Sequence, residues 1–465
     1  MAFFRSETEL NQWVARLLSG PAQPRKEFVI GGTTFERLYE MAAHLHQMFH
    51  SSVETRRVCL CTEDKGVITA TLLAALAGGP SVILPYASSP QVLSELYGLL
   101  PYECVVTDRV VEAPPSVRCI IPEGGRASWP PSDALPSRPP GAEWVRLFTG
   151  GSTGAPKMWT KTVRNLLAET ISIVDHYHVT DQDRLVATVH PNHIYGLLYS
   201  ILTPLLASAA VSGATPSFPG EIESAIAQTE ATILVSVPAH YRALNGHALT
   251  APALRLAFSS AGMLAAEDAA AFSAQTGVGI AEIYGSTETG GIAARVRAAG
   301  ETDFKPYRTI AVRIEGERFK VRSDYLSPEL ERDTDGYFVM GDRVAATAGG
   351  RFMLIGRADG IVKVGGRRVD LEAVKECIRQ FPGVRDALVV SLPVDTGREN
   401  QVVAVVEGRV DPGDLGRFLA ERLEPYARPR TIKVLDKLPM TAAGKYDRKT
   451  IEQLFVSTPR NGGQE

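Results

Sequence analysis

The sequence predicts an α/β protein. A large N-terminal domain of layered α/β subdomains, with parallel-rich sheets flanked by helices, precedes a small α+β C-terminal domain. Three observations carry this. Short β-branched runs alternate with Ala/Leu-rich segments through the first half, the rhythm of parallel layering. After Asp359 the pattern changes to a unit of about a hundred residues, long enough to fold by itself. The 465 residues, 45% hydrophobic and 22% charged, suit two or three domains around a large core. The expected domains are 1–358 and 359–465.

In chain order, Arg57–Cys61 reads as a strand, Gly66–Ala77 as a helix, Ser81–Pro85 as a strand, Ser89–Leu100 as a helix and Cys104–Thr107 as a strand. Pro122–Gly141, rich in Pro, Gly and Ser, reads as an irregular connection to a strand at Trp144–Phe148. The rhythm returns with strand Arg184–Thr188, buried helix Tyr195–Ala207, strand Ala209–Val211, helix Glu221–Thr229 and strand Ile233–Val235. The C-terminal unit reads as helix Leu371–Gln380, strands Ala387–Leu392 and Gln401–Val406, helix Leu415–Leu423, strand Thr431–Val434 and helix Lys445–Leu454.

A net charge of −3 excludes the basic footprint of a nucleic-acid binder. The five scattered cysteines make no disulfide framework and fit a reducing cytoplasm, where the chain is expected to work. Cys59 and Cys61 read as buried strand residues rather than metal ligands. No signal peptide is expected from Met1–Glu7, and no stretch reaches the ~20 apolar residues of a membrane-spanning helix.

Thr149-Gly150-Gly151-Ser152-Thr153-Gly154-Ala155-Pro156-Lys157 gathers glycines, hydroxyls and an ammonium. Freed backbone N–H groups, hydroxyls and a cation suit a polyphosphate. The stretch is not a Walker A loop, because Met158 follows the lysine where that motif has Ser or Thr. Tyr284-Gly285-Ser286-Thr287-Glu288 ends an apolar run. There Glu288 suits Mg²⁺, which takes carboxylate and phosphate oxygens, and Thr287 suits a phosphate; alternatively, Ser286 or Thr287 caps a helix. Gly341-Asp342 ends another run, and Asp342 suits ribose hydroxyls or an ordinary turn. Gly356-Arg357-Ala358-Asp359-Gly360 precedes Gly365-Gly366, which reads either as a hinge with a close-approach loop or as a hairpin with polar turns. Gly444-Lys445 sits at an expected helix start, a poor place for a cation.

These five elements, in this order, resemble the motifs of the ANL adenylating enzymes: acyl-CoA synthetases, peptide-synthetase adenylation domains and luciferases. The resemblance covers roughly residues 30–455. Gly150 stands where that family commonly has a serine, and Met340 where it commonly has a threonine. His190-Pro191-Asn192-His193-Ile194-Tyr195-Gly196 resembles the family's proline-x-x-histidine-x-x-glycine element, one residue short after the proline. No aspartate occurs between Val189 and Phe218 to pair with an α-ammonium, which disfavours an amino-acid substrate.

The resemblance implies the acyl-/aryl-CoA synthetase branch, with ATP, Mg²⁺ and coenzyme A. A carboxylic acid attacks ATP to give an acyl-adenylate and pyrophosphate; the thiol of coenzyme A, or of an acyl carrier protein, then displaces AMP. A stand-alone adenylate-forming enzyme and a non-catalytic homologue are the other readings. It implies Lys445, Thr287 and Glu288 as catalytic, with Glu288 on the metal. ATP falls to Thr149, Gly150, Gly151, Ser152, Thr153, Gly154, Lys157, Tyr284, Gly285, Ser286, Asp342 and Arg357. His193, Tyr195, Gly196, Val237, Ser259, Ala261 and Gly262 are expected to line the acyl pocket and thiol tunnel. Asp359 is expected as the hinge of a mobile C-terminal domain, and Gly365 and Gly366 on the coenzyme A side. The implied partners are small molecules, with a monomer or homodimer and no nucleic acid.

Overall fold

The computed structural model describes residues 5–50, 55–151, 154–297, 300–357, 360–364, 367–393, 400–441 and 446–455. Ser152, Thr153, Asp359, Gly365, Gly366 and Lys445 lie outside these residues, as do the side chains of Thr149 and Arg357. The chain divides into two compact units. The first holds most of the chain to Ala311 together with Val321–Phe338; the second holds Val312–Lys320 and the chain from Val339.

The first unit opens with α1 (Glu7–Leu18), β1 (Val29–Ile30) and α2 (Phe35–His50). It then alternates β2 (Arg57–Cys61), α3 (Lys65–Leu76), β3 (Ser81–Leu84), α4 (Pro90–Leu99), β4 (Cys104–Thr107), β5 (Arg118–Ile120), β6 (Glu143–Gly151) and β7 (Gly154–Thr162). These strands form a sheet in the order β5-β4-β2-β3-β6-β7, parallel from β5 to β6. Cys59 and Cys61 are buried in it, as their apolar alternation predicts.

Helix α3 has no polar face, and every residue of it is buried. It packs against α2, β3, β4 and β6. Asp64 caps it by accepting from the Val67 N–H at 2.9 Å, and the Trp144 indole N–H donates to Leu72 O at 3.1 Å, tying β6 to the helix.

After α5 (Val163–Tyr177), the chain builds a second sheet from β8 (Arg184–Ala187), β9 (Ala210–Ser212), β10 (Ile233–Ser236), β11 (Leu256–Ser259), β12 (Ile280–Ser286), β13 (Gly290–Val296) and β14 (Lys305–Pro306). With β1 the order is β1-β9-β8-β10-β11-β12-β13-β14. It is parallel through β12, then antiparallel. Val186, Leu234, Ala257 and Ile280 face α8 (Pro219–Thr229), α9 (Pro238–Leu244) and α10 (Ala266–Thr276) in one core. Phe258 turns the other way, onto Tyr177 and Tyr199. The buried helix expected at Tyr195–Ala207 is α6 (Ile194–Leu197) and α7 (Thr203–Ala207), joined by a π turn at Leu198–Leu202.

Most of a four-stranded sheet opens the second unit: β15 (Ala311–Glu315), β16 (Arg318–Arg322), β17 (Phe338–Ala346) and β18 (Phe352–Arg357), in that order. The hairpin β19 (Ile361–Val364) and β20 (Arg367–Asp370) leads into α11 (Leu371–Arg379). Strands β21 (Val384–Pro393), β22 (Asn400–Gly408) and β23 (Thr431–Leu435) form a three-stranded sheet. Val374, Ile378, Leu415 and Leu419 pack with one of its faces, and Leu438 and Ile451 with the other.

The strands expected at Trp144–Phe148 and Ala387–Leu392 run longer, as β6 and β21, and two expected helices shift. The helix placed at Leu415–Leu423 is α12 (Pro412–Ala420), because Asp411 caps it and Pro412 fits its first turn. The helix placed from Lys445 is α13 (Arg448–Gln453), because the Asp447 carboxylate accepts from the Thr450 N–H at 3.1 Å and starts it there. Among the described residues, no helix is long and apolar enough to cross a membrane.

Lys65 is buried at the start of α3 and donates to Ser212 O at 2.6 Å and Ala214 O at 2.9 Å. Burial pulls its ammonium down to about 8 from an ordinary 10.5. Between those values the unfolded chain holds more protons than the folded one, so stability rises with pH there. From pH 8 to pH 10 the wild type should gain about 2 kcal/mol relative to Lys65→Met in urea denaturation. Parallel pH profiles for the two proteins would show that the folded ammonium titrates normally.

Candidate active site

Parallel strands present their carboxyl ends along one edge of a sheet, and ligands bind in the crevice beyond that edge. Several predicted residues of the first unit hang there: Val237 follows β10, Ala261 and Gly262 follow β11, and Tyr284–Ser286 end β12. Ser259, the last residue of β11, is fully buried, and its hydroxyl makes no hydrogen bond among the described residues. Ala261 has φ +70°, a strained conformation for a residue with a Cβ.

His190–His193 follows β8. Asn192 Nδ2 donates to Pro85 O at 3.1 Å, so this loop is tied to the end of β3 in the other sheet. His190 Nε2 lies 3.2 Å from the Glu63 carboxylate. His193 is exposed and precedes α6. Gly196 has a physical reason to be glycine, since a Cβ there would sit 2.1 Å from His190 O. Tyr195 donates from its hydroxyl to Ser236 O at 3.2 Å, and burial raises its phenol pKa well above the ordinary value.

Sequence reasoning passed over a chain of polar groups beneath this edge. His240 Nδ1 pairs with Thr188 Oγ1 at 2.8 Å, and Thr188 Oγ1 with Ser236 Oγ at 2.8 Å. Burial lowers the His240 pKa. The signal was faint: isolated hydroxyls at the ends of apolar strands.

The Tyr284–Glu288 stretch does not start a helix. Strand β12 runs through it to Ser286 and turns back into β13, with a bulge between Tyr284 and Gly285. Thr289, fully buried, closes the turn. Its hydroxyl pairs with Ser286 Oγ at 2.8 Å and accepts from the Ser286 N–H at 3.2 Å. Thr287 and Glu288 are thereby left at the tip, half-buried. The Glu288 backbone oxygen is taken by the Ser327 N–H at 2.8 Å, while its carboxylate makes no hydrogen bond or ion pair among the described residues.

Mg²⁺ bound to a nucleotide often takes only one or two carboxylates from the protein, the rest of its shell being phosphate and water oxygens. No group of three metal-ligating side chains occurs among the described residues.

Lys157 is exposed on β7. In the second unit, Asp342 on β17 lies directly opposite Arg357 on β18. Next to Asp342, Arg343 forks between Glu317, at 2.5 and 2.8 Å, and Asp370, which also caps α11. This brace was not read from sequence. The Met440–Tyr446 bridge and the Asp447 N–H bond to Pro439 O at 2.9 Å hold the residues flanking Thr441–Lys445. The Tyr446 hydroxyl donates to Asp386 at 2.7 Å.

Residues 23–342 match the family model described as AMP-binding enzyme, and residues 373–445 match that of the AMP-binding enzyme C-terminal domain. The chain belongs to the AMP-binding enzymes. This AMP-binding enzyme is 27% identical over 346 residues to the sulfoacetate–CoA ligase of Cupriavidus necator, covering 68% of this chain and 67% of that one. It is 30% identical over 303 residues to the 4-coumarate–CoA ligase of Cereibacter sphaeroides, covering 64% and 68%. ATP-bound MatB from Rhodopseudomonas palustris shares the fold with a TM-score of 0.82 at 22% identity, covering 95% of this chain and 98% of that one.

The hairpin geometry makes Gly285 obligatory. A Cβ at this position would fall 2.2 Å from Gly290 O across the turn, and that backbone oxygen has no room to yield. Gly285→Ala should lower stability by about 1–3 kcal/mol in urea denaturation, as overpacking does, and weaken ATP binding. Gly220→Ala, in α8 with open space around the added methyl, should be neutral or stabilising by up to about 1 kcal/mol. Equal stability of the two variants would contradict the close approach.

Proposed function

We propose that this chain joins a carboxylic acid to a thiol at the expense of ATP, forming an acyl-adenylate with release of pyrophosphate and then an acyl thioester of coenzyme A. The observation that carries this reading is the Thr287–Glu288 tip with its uncommitted carboxylate, set at the carboxyl edge of a parallel sheet in an AMP-binding enzyme. Two relatives support it: they bear the names of acid–CoA ligases, with acids as different as sulfoacetate and 4-coumarate.

The acid needs no general base, since its carboxylate is already ionised at neutral pH. The work left to the protein is positioning and charge neutralisation. Ser152, Thr153 and Lys157 would grip the outer phosphates, Thr287 a phosphate oxygen, and Asp342 and Arg357 the ribose. Glu288 would hold Mg²⁺, whose part is to neutralise phosphate charge. Lys445 would bridge the acid carboxylate and the phosphate oxygens. Tyr195, Val237 and Ser259 would line the acyl pocket, with His193 at the thiol tunnel. Asp359 would be the pivot that exchanges Lys445 for the Gly365-Gly366 loop between half-reactions. The five free cysteines fit work in a reducing cytoplasm.

Lys445→Ala should lower acid-dependent pyrophosphate release by about 10²–10³-fold, the cost of one preorganised charge contact. Thioester formation from supplied acyl-adenylate and coenzyme A should survive. Equal loss in both half-reactions would contradict the assigned role. Replacing coenzyme A with a phosphopantetheinylated carrier protein in the second assay identifies the acceptor.

A further inference from the structure

Two buried charges lie behind the Thr287–Glu288 turn. Lys161, on β7 four residues beyond Lys157, is 1% exposed; Glu169, in α5, is 4% exposed. The Lys161 ammonium donates to Tyr325 O at 2.9 Å and Glu288 O at 3.3 Å. The Glu169 carboxylate accepts from the Gly291 N–H at 2.6 Å. The two side chains therefore hold the turn on both flanks, at Glu288 and at Gly291. The same β7–α5 connection holds the neighbouring Asp324–Ser327 segment. Thr162 and Asn165 form a capping box there, and Asn165 Nδ2 donates to Asp324 O at 2.6 Å and Leu326 O at 3.2 Å.

Lys161 and Glu169 attract one another, and each is opposed by burial, which lowers the lysine pKa and raises the glutamate pKa. No ion-pair contact joins the two side chains among the described residues, and apolar side chains of similar size could fill the space, since buried charges rarely outperform a hydrophobic replacement. Core filling therefore gives no reason for the charges. The hydrogen bonds they make to the turn do.

We propose that Lys161 and Glu169 are positioning residues for the metal–phosphate end of ATP, fixing the backbone at Glu288 and Gly291 so that the Glu288 carboxylate is preorganised for Mg²⁺. This rests on the reading of Glu288 as the metal ligand. The pair touches no substrate; it acts through the turn, as the outer partners of metal ligands commonly do.

The test is the gain in ATP affinity on adding Mg²⁺, measured by calorimetry with ATP in MgCl₂ and with ATP in EDTA, alongside thermal unfolding. The variants are Lys161→Met/Glu169→Leu, Glu169→Gln and Glu288→Ala. The double variant should unfold within a few degrees of wild type and bind ATP in EDTA within about twofold. It should lose about 10–100-fold of the Mg²⁺-dependent gain, the range typical of outer-partner changes. Glu169→Gln, which keeps an acceptor for the Gly291 N–H, should lose less; if the double variant does not accumulate, any selective loss in Glu169→Gln supports the proposal. Equal weakening with and without Mg²⁺ would overturn it and leave a purely structural pair. So would a full Mg²⁺ gain in the double variant while Glu288→Ala loses its own. A full gain in Glu288→Ala overturns the metal assignment itself, and the proposal with it.

Discussion

The carboxyl edge of a parallel sheet constrains everything in the first unit. Successive parallel strands must all be entered from the same side, so their exits line up, and each connection starts from one rim. In this protein the rim carries Val237, Ser259, Ala261 and the Tyr284–Glu288 turn within one strand order, β8-β10-β11-β12. The switch to antiparallel pairing at β13 is what turns the last of these exits into a hairpin rather than a crossover helix. A hairpin tip can offer a carboxylate outward while its backbone is held from behind. A helix start would have spent the same hydroxyls and carboxylate on its own N–H groups.

Holding that tip required polar groups inside the protein. Backbone oxygens drawn out of water need partners, and the sheet cannot supply one for Glu288 O, which is partly buried at its turn. The Ser327 N–H and the Lys161 ammonium supply the partners. Lys65 solves a similar problem elsewhere, meeting the carbonyls of Ser212 and Ala214 beyond β9. In both cases a lysine near the start of a helix reaches backbone oxygens of another segment. Its depressed basicity, at Lys65 as at Lys161, is the electrostatic cost of doing so.

Much of the fold was legible because periodicity and burial agree. The strand at Arg57–Cys61 was read at its observed limits, and the strand at Thr431–Val434 and the helix at Leu371–Gln380 to within one residue of theirs. Boundaries failed where a cap outranked hydrophobic pattern, as Asp411 and Asp447 do at α12 and α13. At the Tyr284–Glu288 turn, local propensity allowed both a helix start and a strand end; pairing with β13, a tertiary event, decides it. Lys161 and Glu169 were invisible for a different reason. A charged residue at an inward position of a strand or helix looks, in one sequence, like a solvated one. Only the backbone groups that it meets give it away. Arg343 and the His240–Thr188–Ser236 chain were missed likewise, since their partners come from distant segments.

The central claim is that the rim and its turn serve attack of a carboxylate on the phosphate chain of ATP. Acid-dependent release of pyrophosphate tests it most directly, with a panel including aryl, aliphatic and sulfonated carboxylic acids, MgATP, and coenzyme A present or absent. With coenzyme A, AMP and pyrophosphate are expected in equal amounts for at least one class of acid, at a turnover higher than without it, and none is expected without acid. Release of ADP and orthophosphate, or pyrophosphate release independent of every acid, would contradict it.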